Sequence, residues 1–205
     1  MDSQEDFSSK RYSPKTIEAM KDVLMDPKAS GPAVLYHMVR GGKELGNITI
    51  WEPGTVGGEY IKTYGHYHVG DFCEAYRVLY GEGIVILQKR ALDLKGRFVD
   101  DQIEEVKIIK VSAGDAVFMP KGWAHAVLNV GKTLFVTEDD TLVTFGEIKS
   151  NSANYADYEP IKKMRGMAYY VVEEDGRPVL IKNPLYKKVP EASILEYSPS
   201  FGQKS

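Results

Sequence analysis

A chain of 205 residues is long enough for one domain with modest extensions, and its 43% apolar content is ordinary for a soluble protein. With 26 basic and 29 acidic residues the formal charge is −3, which excludes a polyanion-binding surface carried by net charge, so nucleic acid is not an expected partner. The single cysteine, Cys73, excludes an internal disulfide, and no apolar run approaches the ~18 residues of a membrane span.

The opening segment MDSQEDFSSKRYSPK has no apolar core, so neither a signal peptide nor a membrane anchor is expected in it, and a cytoplasmic location is. Ser13-Pro14 predicts an N-cap followed by proline at the first helical position. Ile17, Met20 and Leu24 then fall on one helical face, and Pro27 ends the helix. From Ala33 the period changes. AVLYHM, NITIW, EAYRVLY, GIVILQ, VKIIKV, DAVFM, HAVLNV and TLFVTE are short stretches rich in β-branched and aromatic residues, and turn residues separate most of them. Many short strands without a second long helix between Gly41 and Asp140 predict an all-β-dominated antiparallel sandwich or barrel. AYYVVEEDGRPVLIKN predicts a hairpin turning at Asp175-Gly176, with Pro178 marking an edge strand. The expected organisation is an N-terminal extension with a short helix over 1–32, one β domain over 33–185, and a tail over 186–205.

Three of the four histidines ask for explanation. His66 and His68 form an HxH pair, and on an extended backbone residues two apart share a face. Glu74 follows at the start of a strand whose period-two face continues through Tyr76, Val78 and Tyr80. His125 lies in PKGWAHAVLN, a turn-rich entry to a later strand. Three imidazoles and a carboxylate suit a borderline first-row divalent metal with coordination sites to spare. From the residues alone, ordinary hydrogen-bonded histidines remain the alternative.

Gly114-DAVFM-Pro120-Lys121-Gly122-WA-His125-AVL-Asn129 fits the second cupin motif at every specified position. His66, His68, Glu74 and Gly81 fit the first, with two departures. Tyr60 stands where the motif begins with glycine, and five residues rather than three or four separate His68 from Glu74. The chain therefore resembles the cupins. That resemblance implies a double-stranded β-helix, or jelly-roll barrel, over the 33–185 domain. Within the cupins it is similar to the archaeal cupin-type glucose-6-phosphate isomerases, through TYGHYH with Thr63, the EAY triplet with Tyr76, the GWAH run and the C-terminal hairpin. The resemblance implies a divalent ion on His66, His68, Glu74 and His125, with Fe²⁺ first and Mn²⁺, Ni²⁺ or Zn²⁺ as substitutes. It implies sugar-phosphate contacts from Thr49, Thr63 and Gly65, with further groups from Tyr155 and Tyr158. It also implies a homodimer acting on a small phosphorylated sugar in glycolysis or gluconeogenesis.

Aldose–ketose isomerisation moves hydrogen between C2 and C1 of an open-chain sugar, and a divalent ion touching O1 and O2 would polarise the carbonyl. Glu74 is the base candidate, although ligation to a cation weakens a carboxylate as a base. A proton route through an enediol and a direct hydride shift both stay open. Tyr76, with an ordinary tyrosine pKa of about 10, is cast as a hydrogen-bonding orienter. A cupin Fe(II) dioxygenase and a noncatalytic metal- or sugar-binding cupin are the competing readings. Asn129 reads as a turn or hydrogen-bonding residue near the strand end rather than a ligand, and Lys62 as a solvated lysine pointing away from Thr63.

Overall fold

The computed structural model describes residues 12–41, 46–70, 73–140 and 156–198. In chain order the strands are β1 (Tyr12–Thr16), β2 (Val34–Val39), β3 (Asn47–Trp51), β4 (Thr55–Val56), β5 (Glu59–Tyr60), β6 (His66–His68), β7 (Glu74–Tyr80) and β8 (Glu82–Leu92). They continue as β9 (Phe98–Ser112), β10 (Ala116–Met119), β11 (Trp123–Asn129), β12 (Phe135–Asp139), β13 (Ala156–Asp157), β14 (Tyr169–Glu174), β15 (Arg177–Lys182) and β16 (Ser193–Glu196). Two short helices, α1 (Ile17–Met20) and α2 (Glu159–Lys163), and a 3-10 turn at Lys21–Val23 complete the elements.

The strands form three sheets, ordered β1-β2-β3-β12-β7-β10, β13-β6-β11-β8-β9-β16 and β15-β14-β5-β4. This overturns the jelly-roll expectation. Among the described residues each sheet is open, with an edge strand at both ends, and none closes into a barrel. The architecture is mixed α/β with several sheets. The physical reason lies in the strands added at the margins. β1 extends the first sheet beyond β2, and β16 extends the second by pairing in parallel with β9. The cupin motifs set the spacing of ligands and turns, and closure is not written in that spacing.

The N-terminal helix also starts later than predicted. Ser13 and Pro14 lie in β1, an edge strand where proline removes no inner ladder hydrogen bond. Thr16 is the actual N-cap, its hydroxyl accepting from the Ala19 amide at 3.3 Å. The helix turns only once before tightening to 3-10 geometry, and it buries Met20 and Val23. The tail hairpin forms as predicted. Asp175 and Gly176 have φ values of 51° and 75°, the doubly positive turn that matches strand twist. Pro178 sits on β15, at a sheet edge.

The core is continuous. Trp51, Phe135 and Tyr67 are among its largest fully buried side chains, with the Trp51 and Phe135 rings 5.1 Å apart. Gly83 through Gln88 of β8 are buried in succession, the pattern of an inner strand covered on both faces. Gln88, polar in that run, is fully satisfied. Its amide donates to Tyr67 at 2.7 Å and Tyr186 at 3.2 Å, and its carbonyl accepts from Ala168 at 2.7 Å.

Candidate metal centre

β6 is three residues long and carries the HxH pair on one face. β11 runs antiparallel beside it and brings His125 opposite His66. Gly65 makes this approach feasible. Its φ is +79°, and a Cβ there would lie 3.2 Å from the His125 carbonyl oxygen. Both histidine strands belong to the second sheet, whereas Glu74 opens β7 of the first. Gly81 ends that strand in a left-handed turn, where a Cβ would come within 2.4 Å of the Leu134 carbonyl. The two sheets thus face each other across the histidines and the carboxylate.

One potential ligand atom from each of His66, His68, Glu74 and His125 lies within 4.8 Å of all the others. Ring centroids are 4.5 Å apart for His66–His125, 5.0 Å for His68–His125 and 5.4 Å for His66–His68. Glu74 Oε1 is 3.1 Å from His125 Nε2 and 3.4 Å from His68 Nε2. Burial, then the neighbouring His125, pulls the His66 imidazole well below its ordinary pKa. Burial does the same to His125, with Glu74 opposing. Burial alone would raise the Glu74 carboxyl, but hydrogen bonds from His125 and His68 outweigh it and hold the acid well below its usual range. Neutral imidazoles beside an ionised carboxylate are the protonation states a divalent cation requires. Nδ1 of His125 is moreover buried with no hydrogen-bond partner among the described residues. The donor set fits a divalent metal ion.

Beside this cluster lies a cavity of about 320 Å³. His66 and His125 form part of its wall, together with Thr49, Thr63, Gly65, Tyr76 and Tyr158 from the sequence reading. Tyr155 lies outside the described residues. Tyr76 extends its hydroxyl to 3.4 Å from His125 Nε2 and also hydrogen-bonds Glu74. Burial, then the charge of Glu74, raises its pKa well above normal, so the phenol keeps its proton. The Tyr158 ring lies 5.1 Å from that of His66. The Thr63 hydroxyl accepts from the Val127 amide at 3.0 Å and retains its own proton to donate.

Sequence reasoning missed Lys15, Tyr36, Met38, Arg40, Tyr64 and Asp139, all of which line the cavity. Lys15 was hidden by the misplaced helix. Tyr36 and Met38 share a period-two face, with Arg40 just past the strand's end, a signal that could have been read once His37 was assigned to the opposite face. Lys62 is not solvated. It is 5% exposed, paired with Glu59 and stacked 5.0 Å from the centre of the Tyr170 ring. Asn129 is a hydrogen-bonding residue at the end of β11, as expected. Its amide donates to the carbonyls of Thr133, Glu52 and Trp51 at 2.8, 3.1 and 3.4 Å, and its oxygen accepts from Gly131 at 2.9 Å.

Comparison with known proteins matches residues 38–187 to the family described as Glucose-6-phosphate isomerase (GPI). The chain belongs to that family. It is 28% identical over 190 residues to the glucose-6-phosphate isomerase of Thermococcus litoralis, covering 86% of this chain and 88% of that protein. It is 32% identical over 141 residues to that of Pyrococcus furiosus, covering 68% of this chain and 63% of the relative's length. These relatives place the chain with the archaeal-type, cupin-clan members of the family. Among solved structures, the capsular polysaccharide assembling protein CapF from Staphylococcus aureus aligns with a TM-score of 0.36 at 19% identity. The alignment covers 55% of this chain and 27% of that one, a likeness too low to carry an argument. No helix among the described residues is long and apolar enough to cross a membrane.

Proposed function

We propose that this protein is a metal-dependent aldose–ketose isomerase interconverting glucose 6-phosphate and fructose 6-phosphate. The observation that carries the proposal is one cavity whose wall holds His66 and His125 of the histidine–glutamate cluster together with a row of hydroxyl, amide and cationic donors. A dioxygenase acting on an apolar substrate has no use for that polar row.

His66, His68, Glu74 and His125 hold the ion, with Fe²⁺ the first choice. A bound divalent ion supplies Lewis acidity at the sugar's carbonyl end. The protein's own groups do the rest. Tyr76 keeps its proton and hydrogen-bonds a substrate oxygen, fixing the open-chain sugar against the cluster. Glu74 is ionised, and in this reading it takes the C2 proton and returns it to C1 while the O2 hydroxyl proton passes to O1, so the carbonyl moves from C1 to C2 without net redox change. Thr49, Thr63 and Gly65 orient the phosphate end, aided by Tyr155 and Tyr158. Strands in one sheet are spaced by about 4.8 Å, so Tyr76 on β7 and Thr49 on β3, two strands apart, sit roughly 10 Å from each other. An open-chain hexose phosphate bridges such a span. The enzyme works as a homodimer in the cytoplasm in this reading.

The test is isomerisation of fructose 6-phosphate by protein stripped with chelator and reconstituted with Fe²⁺, Mn²⁺, Ni²⁺ or Zn²⁺. Activity lost on stripping and restored by an ion is the expected result. Reconstituted protein that binds metal yet turns over no sugar phosphate overturns the reading, and oxygen uptake is then measured. Deuterium at C2 tests Glu74 separately. Its washout into water supports the base, and full retention at C1 assigns direct transfer instead.

A further inference from the structure

We propose that Lys15 and Arg40 form a two-cation clamp for the substrate's phosphate dianion, at the end of the cavity away from Glu74. This assignment rests on the sugar-phosphate reading and goes beyond the threonine and backbone donors that reading already names.

The two cations reach the cavity from adjacent strands. Lys15 of β1 pairs with Tyr36 of β2, and directly paired residues point to the same side of a sheet. Tyr36 and Met38 lie two apart on the same face of β2, and Arg40, the residue just past the strand's end, lines the cavity beside them. Met38 in turn pairs with Thr49 of β3. Cations and hydroxyl therefore form one patch on three neighbouring strands, and all of them line the cavity.

Both cations are half-buried, and neither has an ion-pair partner among the described residues. Other buried cations of the described chain are compensated. Lys62 is paired with Glu59, and Arg90 with Asp100 at 2.8 Å. Asp139, the acid in the same cavity wall, accepts a hydrogen bond from Asn47 at 2.8 Å. Burial, then the Arg40 charge, lowers the Lys15 pKa, so the two cations strain against each other until an anion joins them. A phosphate carries close to two negative charges at neutral pH and three acceptor oxygens, which two cations and the Thr49 hydroxyl match. A carboxylate, with one charge, leaves one cation unbalanced.

The test uses metal-loaded protein and the double variant Lys15→Gln/Arg40→Gln. Binding of inorganic phosphate is measured by calorimetry, and KM and kcat for fructose 6-phosphate are measured alongside. The expected result is a loss of about tenfold in phosphate affinity for each cation, roughly 100-fold together. KM should rise to match while kcat and metal content stay nearly constant. Lys15→Arg retains the charge and should bind phosphate like the parent, which separates the clamp from a folding defect. Equal phosphate affinity in parent and double variant overturns the clamp, as does a parent that isomerises sugar phosphate without binding phosphate. Phosphate binding that disappears in the double variant of a protein with no isomerase activity upholds the clamp and overturns the isomerase reading instead.

Discussion

The second cupin motif ends in two polar residues four positions apart, His125 and Asn129, and the structure gives them different work. His125 faces Glu74 across the gap between sheets, and Asn129 ties the β11 terminus to Trp51, Glu52, Thr133 and Gly131. Asn129→Ala removes two donors and one acceptor from fully buried surroundings. At about 1 kcal/mol per hydrogen bond, the cost is about 3 kcal/mol. In a domain of this size that lowers Tm by about 6–12 °C. Metal affinity should change less than about threefold, because no Asn129 atom belongs to the ligand set. His125→Ala should do the reverse. If binding free energy of order 12 kcal/mol is shared over four ligands, losing one costs about 3 kcal/mol, or roughly 100-fold in affinity. The assay is competition for Zn²⁺ or Co²⁺ against a chromophoric chelator, with thermal unfolding of the chelated proteins alongside. Equal metal affinity for His125→Ala and the parent would refute the assignment of this side chain as a ligand. A hundredfold loss in Asn129→Ala would refute its separation from the centre.

Glu59→Ala should destabilise the protein by about 3–5 kcal/mol, because it strands the buried Lys62 ammonium. It should leave KM for fructose 6-phosphate unchanged, and a raised KM would place Lys62 at the phosphate. Thr49→Val keeps shape but removes a donor from the cavity wall, so KM should rise about tenfold with metal affinity intact. Chelated protein should lose stability in acid. His66 and His125 have folded pKa values below the unfolded value of about 6.5, so the unfolded chain binds more protons below that pH and Tm falls as pH falls through it. The depressed Glu74 carboxyl acts in the same direction at lower pH, its contribution fading as pH drops through its folded value. A Tm that rises between pH 6.5 and 5 contradicts these environments. Restoring metal at about 100 times its Kd should add about 2.7 kcal/mol, seen as a higher Tm, and an unchanged Tm speaks against the site.

Strands with strong alternation or dense β-branching were legible, because local pattern and burial agree in them. GIVILQ, VKIIKV and the Asp175-Gly176 hairpin are examples. The shared face of His66 and His68 was legible from spacing, since HxH on one strand needs no tertiary information, whereas Glu74 and His125 joined the set only through the family resemblance. The helix start was not, because Ser13-Pro14 satisfies a local capping rule that the β1–β2 ladder overrides. Sheet closure was not legible either. It depends on which edges β1 and β16 occupy, and both strands fall in segments whose sequence looks peripheral. Lys62 misled for a related reason. Its partner Glu59 is three residues away, on β5, and only the fold buries both.

The source of each functional group explains why the effects predicted above separate. Imidazoles come from β6 and β11 of the second sheet, where burial lowers the pKa values of His66 and His125. The carboxylate, the Tyr76 phenol, Thr49, Arg40 and Lys15 come from the first sheet, on or beside strands β7, β3, β2 and β1. In the proposed reading, a substrate lying across those strands meets chemistry at β7 and charge at β1, with the hydroxyl of β3 between. Changes at β1 or β2 alter how tightly an anion is held without touching a ligand atom. Changes at β6 or β11 alter the metal without touching the anion end. Glu74 is the one ligand on the substrate-spanning sheet, so its replacement is the single change that disturbs metal, proton transfer and sheet-to-sheet contact at once.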